Sequence, residues 1–577
     1  MRCPTNRDQV YPRPSMVRNS FHSLNGPWTC NQKPIQVPFA PQDLLSGYAD
    51  KWQDVEAELF YEKDVILPDH FYDPDTQDLI LHFGAVDQQC TVFINGQECC
   101  RHTDGYLPFE CDISSYLHKD SPTRFHLSVH VFDILDENYP CCKQSAKPQG
   151  MWYTPVSGIW QSVWLEAVPK KERIRSLKIT PCADLKGFDL EVETDAEKWE
   201  LLLELKNRCV WISSDRKFLH VDISKYEKVH LWSVDDPFLY HFSIRTATDL
   251  ISSRVGIRQI AVESFGGSAL ICQNHHPLFL CGLLDQGYYS PGLYLPESPK
   301  RMEGDLKLIK AMGFNCVRKH EKVEPEWWYA LCDELGLLVI QDFVRSGPYD
   351  FIRDTVLPTL GFKKQTLRPA SGQRQDAWYA HGKGVVALLY NHPSVIGYTL
   401  FNEGWGQFAS AAPYAYFRTL DPTRLYDTAS GWPEAVESDL QSEHLYFRNR
   451  ILYQKERRRP LFLSECGGYN WSVEGHSPKS SYGYGKSRSQ KQFMAKITTL
   501  YRKTLQPSIE LGLCGFILTQ FSDVETETNG MITFDRQVIK ADVGTMRKLN
   551  ASMIHYFHKH LMISQIPDLG KKKEEAM

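Results

Sequence analysis

A chain of 577 residues is too long for one hydrophobic core and calls for three or four domains. Apolar residues make up 42% and charged residues 23%, an ordinary globular balance, and the formal net charge of −5 argues against nucleic acid or an anionic membrane as partner. No apolar run reaches the ~18 residues of a membrane helix.

The first residues, MRCPTNRDQVYPRPS, lack the apolar core of a secretory signal. There are 16 cysteines and no C-x-x-C spacing, so the expectation is a cytoplasmic protein with reduced, mostly buried thiols, no zinc and no disulfide framework. Residues 1–168 read as all-β, a β-sandwich. In DLILHFGAVDQQCTVFINGQECCRH, Asn95-Gly96 sits between two strand-like runs, the signature of a type I′ hairpin. GIWQSVWLEAV alternates like one long strand covered on both faces. Residues 169–262 give further short strands, in a length that suits an immunoglobulin-like β-sandwich.

From residue 263 to 577 the rhythm changes. Eight apolar runs (FLCGLLDQG, NCVRKH, LLVIQDF, SVIGYTLFNEG, RLYDTASG, EHLYF, PLFLSECGG and CGFILTQFSD) alternate with helical patterns. Ser298-Pro299 opens one helix, whose inner face is Met302, Leu306 and Ile309; Gly336 closes another. Eight βα units predict a TIM barrel.

Active-site groups of such a barrel project from the C-terminal strand ends. Those ends carry Asp285-Gln286, Arg318 and His320, Asp342, Asn402-Glu403, Ser430 and Trp432, His444 and Tyr446, Glu465, and Thr519-Gln520. Glu403 ends the fourth strand and Glu465 the seventh, walls that face each other across the barrel. Two converging carboxylates are what glycoside hydrolysis needs: one protonates the leaving oxygen, and the other attacks or activates water. Asn402, beside the acid, is placed for a hydrogen bond to a sugar 2-OH.

These stretches together resemble glycoside hydrolase family 2, the β-galactosidases, β-glucuronidases and β-mannosidases. LHFGAVDQQCTVFINGQ and PVSGIWQSVWLE are similar to its sugar-binding jelly roll, and LWSVDDPFLYHFSI to its immunoglobulin-like domain. GFNCVRKH, LFNEGWGQF, SECGGY and TQFSDVETETNGMITFDR are similar to its barrel. The resemblance implies Glu403 as general acid/base, Glu465 as nucleophile, Asn402 on the 2-OH, and Arg318, His444 and Tyr446 around the nucleophile. His320, Asp285 and Trp405 are candidates for the sugar-binding wall.

Glucuronidases of the family place an Asn-x-Lys before a Gly, where this chain has Glu527-Thr528-Asn529 before Gly530. That departure favours a neutral sugar, with a β-galactoside slightly ahead of a β-glucuronide or β-mannoside. The family's metal-bearing acidic stretch has no counterpart around IQDFVRSG, so no metal or other cofactor is expected. The expected partner is a carbohydrate substrate; homo-oligomers occur among relatives. The competing reading is an inactive carbohydrate-binding protein, disfavoured by the intact Glu403, Glu465, Asn402 and Arg318. YNWSVEGHSPKSSYGYGKSRSQ, after the seventh strand, reads as a lid or a plain surface loop, and KERRRP as a solvated helix end.

Overall fold

The computed structural model describes residues 10–48, 57–360, 362, 367–433 and 437–564. The charged tail from 570 onward lies outside them.

The first sandwich packs a four-stranded sheet (His22–Ser23, Val163–Pro169, Gln77–Phe83, Phe109–Asp112, in spatial order) on a six-stranded one. The second sheet runs Lys33–Val37, Gly26–Cys30, Ala57–Ile66, Arg124–Asp133, Gln89–Ile94, Gln97–Thr103. Along Arg124–Asp133 every second side chain is buried, and Leu127, Val129 and Val131 meet Leu79, Leu81 and Phe83 in the core. Asn95 and Gly96 hold φ of 52° and 78°, the paired positive values of a type I′ turn.

Two expectations fail in this sandwich. GIWQSVWLEAV is not one strand: it breaks after Gly158–Ile159 and resumes at Val163, because the Trp160 indole turns away to donate to the Gly105 carbonyl (2.7 Å). Nor are all cysteines free. Cys100 and Cys111 are disulfide-bonded and join the outer strands of the two sheets. Most of the other described cysteines are buried thiols.

The second sandwich faces a three-stranded sheet (Ile174–Pro181, Gly187–Thr194, Phe218–Asp222) with a four-stranded one (Cys209–Ser214, Trp199–Glu204, Tyr240–Arg245, Leu250–Val255). A hairpin of Ile260–Phe265 and Ser268–Gln273 then leads into the barrel.

All eight expected barrel strands form: Leu280–Asp285, Cys316–Lys319, Leu338–Asp342, Val395–Phe401, Leu425–Ala429, Gln441–Leu445, Leu461–Gly467 and Leu513–Thr519. They are parallel and neighbour one another in chain order, with the first against the eighth. Seven of the eight are wholly buried, which is why they read as unbroken apolar runs. The ring is nearly closed. Between the fifth and sixth strands the ladder gives way to mixed bonds: the Asp439 amide donates to the Tyr426 carbonyl (2.9 Å), the Tyr426 amide to Asp439 Oδ2 (2.8 Å) and the Gly431 amide to Ser442 Oγ (3.4 Å).

The helices Pro299–Ala311, Glu326–Leu335, Gly372–Leu389, Ala411–Leu420 and Gln490–Leu500 pack outside, and Val543–Ser564 closes the ring. Ser298 holds the N-cap position of the first, without a side-chain capping bond, with Pro299 at its start, and Gly336 ends the second at φ 66°. The expectation of eight complete βα units is corrected here. Among the described residues, no helix follows the fifth or sixth strand; 437–440 and 446–460 are loops. KERRRP belongs to the second of these, and Arg458 and Arg459 pair with Glu456 in a turn rather than at a helix end.

Candidate active site

Arg318 organises the barrel mouth. Its side chain is fully buried, and all its N–H groups are engaged. Nε donates to both oxygens of Asp342 (2.9 and 3.1 Å). Nη1 donates to the Ser464 carbonyl (3.1 Å) and to Glu465 Oε1 (3.0 Å). Nη2 donates to Asn402 Oδ1 (2.9 Å) and Ser430 Oγ (3.1 Å). One guanidinium thus ties together the ends of strands two, three, four, five and seven. Burial opposes its charge, but Asp342 and Glu465 outweigh burial and raise its pKa.

Glu465 sits at the end of strand seven with Arg318 on one oxygen and the Tyr446 hydroxyl on the other (2.5 Å). Burial alone would raise its carboxyl. His444, Arg318, His320 and Lys143 reverse that and bring it down to about 2. Asp342 is likewise held at about 2 against burial, by Arg318 and His320.

Glu403 behaves in the opposite way. Burial raises its pKa, the hydrogen bond from His444 opposes the shift, and the Glu465 charge adds to it. Its backbone lies at φ 50° in the tight turn Asn402–Gly404, which swings the side chain inward at the strand end. A non-glycine residue there costs about 1–3 kcal/mol, a strain typical of functional sites.

Strands four and seven are three places apart round the ring, and His444, on strand six, stands between their carboxylates. Its Nδ1 is 2.7 Å from Glu403 Oε1 and 3.6 Å from Glu465 Oε2, and oxygens of the two carboxylates lie within 4.8 Å of each other. These three side chains could offer ligands to a metal ion, but Arg318 already supplies Glu465 with a cation. Asn402 Oδ1 is taken by Arg318 and Ser430, which leaves Nδ2 as the donor toward a substrate.

The weaker candidates are placed as follows. His320 gives Nδ1 to Asp342 (2.6 Å), and burial and Lys143 lower its pKa to about 4, so it is charged where Glu465 and Asp342 titrate and neutral near pH 7. Asp285 is bound by Lys319 (2.5 Å) and the Gly287 amide (3.0 Å), in a buried cluster with Glu324 and Lys322 rather than against the carboxylate pair. Trp405 is 3% exposed and packs with Tyr349 (5.0 Å) and Trp152 (6.0 Å).

Four contributors had no sequence signal of their own. Tyr484 stacks on Tyr446 at 4.2 Å. The loop that carries it is knitted to the chain after strand eight by Asn470 Nδ2 to Thr528 Oγ1 (2.7 Å) and by the amide of Tyr482 to the Thr526 carbonyl (2.7 Å). These bonds hold Tyr484 against the mouth. Trp471 of the same loop packs toward Phe493. Lys143 reaches the mouth, and Glu321 lies beside it, as described below.

Gly431, the fourth, has φ 81°, and a Cβ there would fall 2.4–2.6 Å from the His444 ring. Gly431→Ala is expected to push His444 off Glu403 and lower kcat by about 10²-fold, the scale of a small misplacement. Steady-state kinetics with thermal unfolding as a control would measure this; kcat within threefold of wild type would refute it.

Comparison with known proteins bears on the family and the fold. Residues 297–500 match the family model described as glycosyl hydrolases family 2, TIM barrel domain, and residues 48–169 match the sugar binding domain of the same family. A putative beta-glucuronidase of Formosa agariphila is 24% identical over 413 residues, which cover 69% of this chain and 36% of that protein. A beta-galactosidase of Priestia megaterium is 25% identical over 435 residues, covering 70% of this chain and 38% of that protein. The match thus spans little more than a third of either curated relative. The solved structure of an uncultured Clostridium sp. beta-glucuronidase superposes with a TM-score of 0.71 at 18% identity, covering 94% of this chain and all of that one, and so shares the fold. Two models of one family, in the expected order and together spanning more than half of the sequence, place the chain in glycoside hydrolase family 2.

Proposed function

We propose that the protein is a retaining exo-β-glycosidase that removes a terminal β-linked sugar through a covalent glycosyl-enzyme intermediate. The observation that carries this is the pair Glu403 and Glu465, with oxygens within 4.8 Å and pKa values driven in opposite directions. Separations of roughly 5–5.5 Å between carboxyl groups belong to retaining enzymes, in which the ionised one attacks the anomeric carbon and the protonated one delivers its proton to the leaving oxygen. Tyr446 and Arg318 hold the attacking carboxylate, and Asn402 is free to donate to the 2-OH.

The sugar is a neutral one in this reading, with a β-galactoside favoured. At the place where an Asn-x-Lys would meet a uronate, Glu527 accepts from Tyr153 (2.5 Å) and Asn529 (2.9 Å), an acidic group that repels a second carboxylate. Relatives named beta-glucuronidase and beta-galactosidase both match, so the specificity rests on this chain's own residues.

The test is a panel of p-nitrophenyl β-galactoside, β-glucoside, β-mannoside and β-glucuronide, with NMR of the first sugar released. One neutral sugar appearing first as its β-anomer is the expected result. First release of the α-anomer would overturn the retaining mechanism, and silence across the panel from folded protein would favour a binding-only role.

A further inference from the structure

The first sandwich sends residues 141–154 into the barrel mouth. The Cys141 amide donates to the Arg345 carbonyl (2.9 Å), and Arg345 Nη2 donates to the Cys142 carbonyl (2.9 Å). On the other flank, the Gly150 amide donates to Thr526 Oγ1 (3.0 Å) and the Thr154 amide to Glu525 Oε1 (2.9 Å). Anchored on both sides, the segment presents Lys143 to the site.

Lys143 is only 6% exposed, and its ammonium lies 5.6 Å from the centre of the Trp405 ring. Among the described residues its ammonium makes no hydrogen bond and no ion pair, although its charge bears on Glu403, Glu465 and His320 together. The stem is buried, but the ammonium is not one of the enclosed polar groups, so it opens to the mouth with its donors unclaimed by protein.

Glu321 is its counterpart. It follows His320 at the end of strand two, is 1% exposed, and holds φ 50°, the same strained backbone as Glu403. Its Oε2 has no partner. Burial raises its carboxyl to about 7, against the charges of Arg345 and Lys143. Lys143 and Glu321 thus feel each other, yet no ion pair joins them.

We propose that Lys143 and Glu321 are the donor and acceptor that read hydroxyls on the ring of a neutral terminal sugar. An ammonium offers three donors and a carboxyl group offers acceptors, so two groups spaced too widely to pair directly can be bridged by neighbouring hydroxyls. A lone lysine would suit an anionic sugar. A lysine facing a glutamate suits it less, since the glutamate repels the added carboxylate wherever it is ionised. The pair therefore explains how a site with a buried cation selects an uncharged substrate. This inference rests on the glycosidase reading above, and the experiment separates the two.

Lys143→Met, Glu321→Gln and the double variant would be assayed beside wild type on the β-galactoside, β-glucoside and β-glucuronide, with thermal unfolding to check folding. Each single change is expected to lower kcat/KM on the best neutral glycoside by about 10²-fold, the scale of one charge-assisted hydrogen bond. The double variant should fall within about threefold of the worse single one, because residues that act as a unit are not additive. Single variants within threefold of wild type would overturn the assignment. So would a wild type that prefers the glucuronide and loses that preference in Lys143→Met, since the lysine would then read a carboxylate.

If wild type cleaves nothing, the glycosidase reading fails, and calorimetry with galactose, glucose and glucuronate decides this one. A neutral sugar bound by wild type and at least tenfold more weakly by both variants upholds it. No neutral sugar bound overturns it.

Discussion

Glu465→Ala is expected to lose about 10⁵-fold or more in kcat, even on p-nitrophenyl glycosides whose leaving group needs no help. The size follows from the role: without this carboxylate no glycosyl-enzyme forms, and no other group occupies its position at the end of strand seven. Glu465 is the group on which the site converges, with Arg318 on Oε1, Tyr446 on Oε2 and His444 at 3.6 Å. Removing it also leaves part of a buried guanidinium unmatched. Breaking a buried pair costs about 3–5 kcal/mol, softened here because Asp342 still holds Nε. Glu465→Gln separates the two effects, since it keeps the shape and one acceptor and loses the nucleophile. Turnover should vanish in both variants, while the fall in unfolding temperature should be smaller in Glu465→Gln. Retention of more than about 1% of wild-type kcat by either variant would remove Glu465 from the nucleophile role.

The barrel was legible because the same physics wrote both signals. A strand buried on both faces reads as an apolar run, and a polar residue that ends the run marks the mouth. Hence the eight strands, Glu403, Glu465, Asn402 and Arg318 were all visible in the chain. The type I′ turn at Asn95-Gly96 was visible because few residue pairs accept two positive φ values.

What the sequence hid has different causes. The strands Cys209–Ser214 and Phe218–Asp222 carry weakly buried side chains, so their apolar residues do not alternate to mark one buried face. The missing helices after strands five and six escaped notice because the strand rhythm alone suggested a regular repeat. Lys143 and Glu321 were hidden by tertiary docking: one is delivered from another sandwich, and the other looks like any charged residue after a strand. Gly431 matters only for the ring that it lets in.

Glu403→Ala should give a selective loss instead of a uniform one. A general acid contributes typically 10²–10⁴-fold, and its help is needed in proportion to the basicity of the leaving group. On alkyl or sugar aglycones the first step should fall by about that amount, whereas p-nitrophenolate departs nearly unaided. The second step then limits, because the same residue must activate water after it has given up its proton. Azide, which needs no base, should restore turnover of the activated substrate and yield a β-glycosyl azide, since it attacks the face that the leaving group vacated. The pH profile provides an independent check. In the proposed mechanism activity requires Glu465 ionised and Glu403 protonated. It should therefore fall as pH rises through the elevated Glu403 value and persist on the acid side until pH approaches the depressed Glu465 value of about 2, or until the protein unfolds. In Glu403→Ala the alkaline limb should disappear for the activated substrate assayed with azide. Equal losses on good and poor leaving groups, no response to azide and an unchanged alkaline limb would together show that Glu403 is not the acid. His444, whose Nδ1 lies 2.7 Å from Glu403, would then be the group to test next.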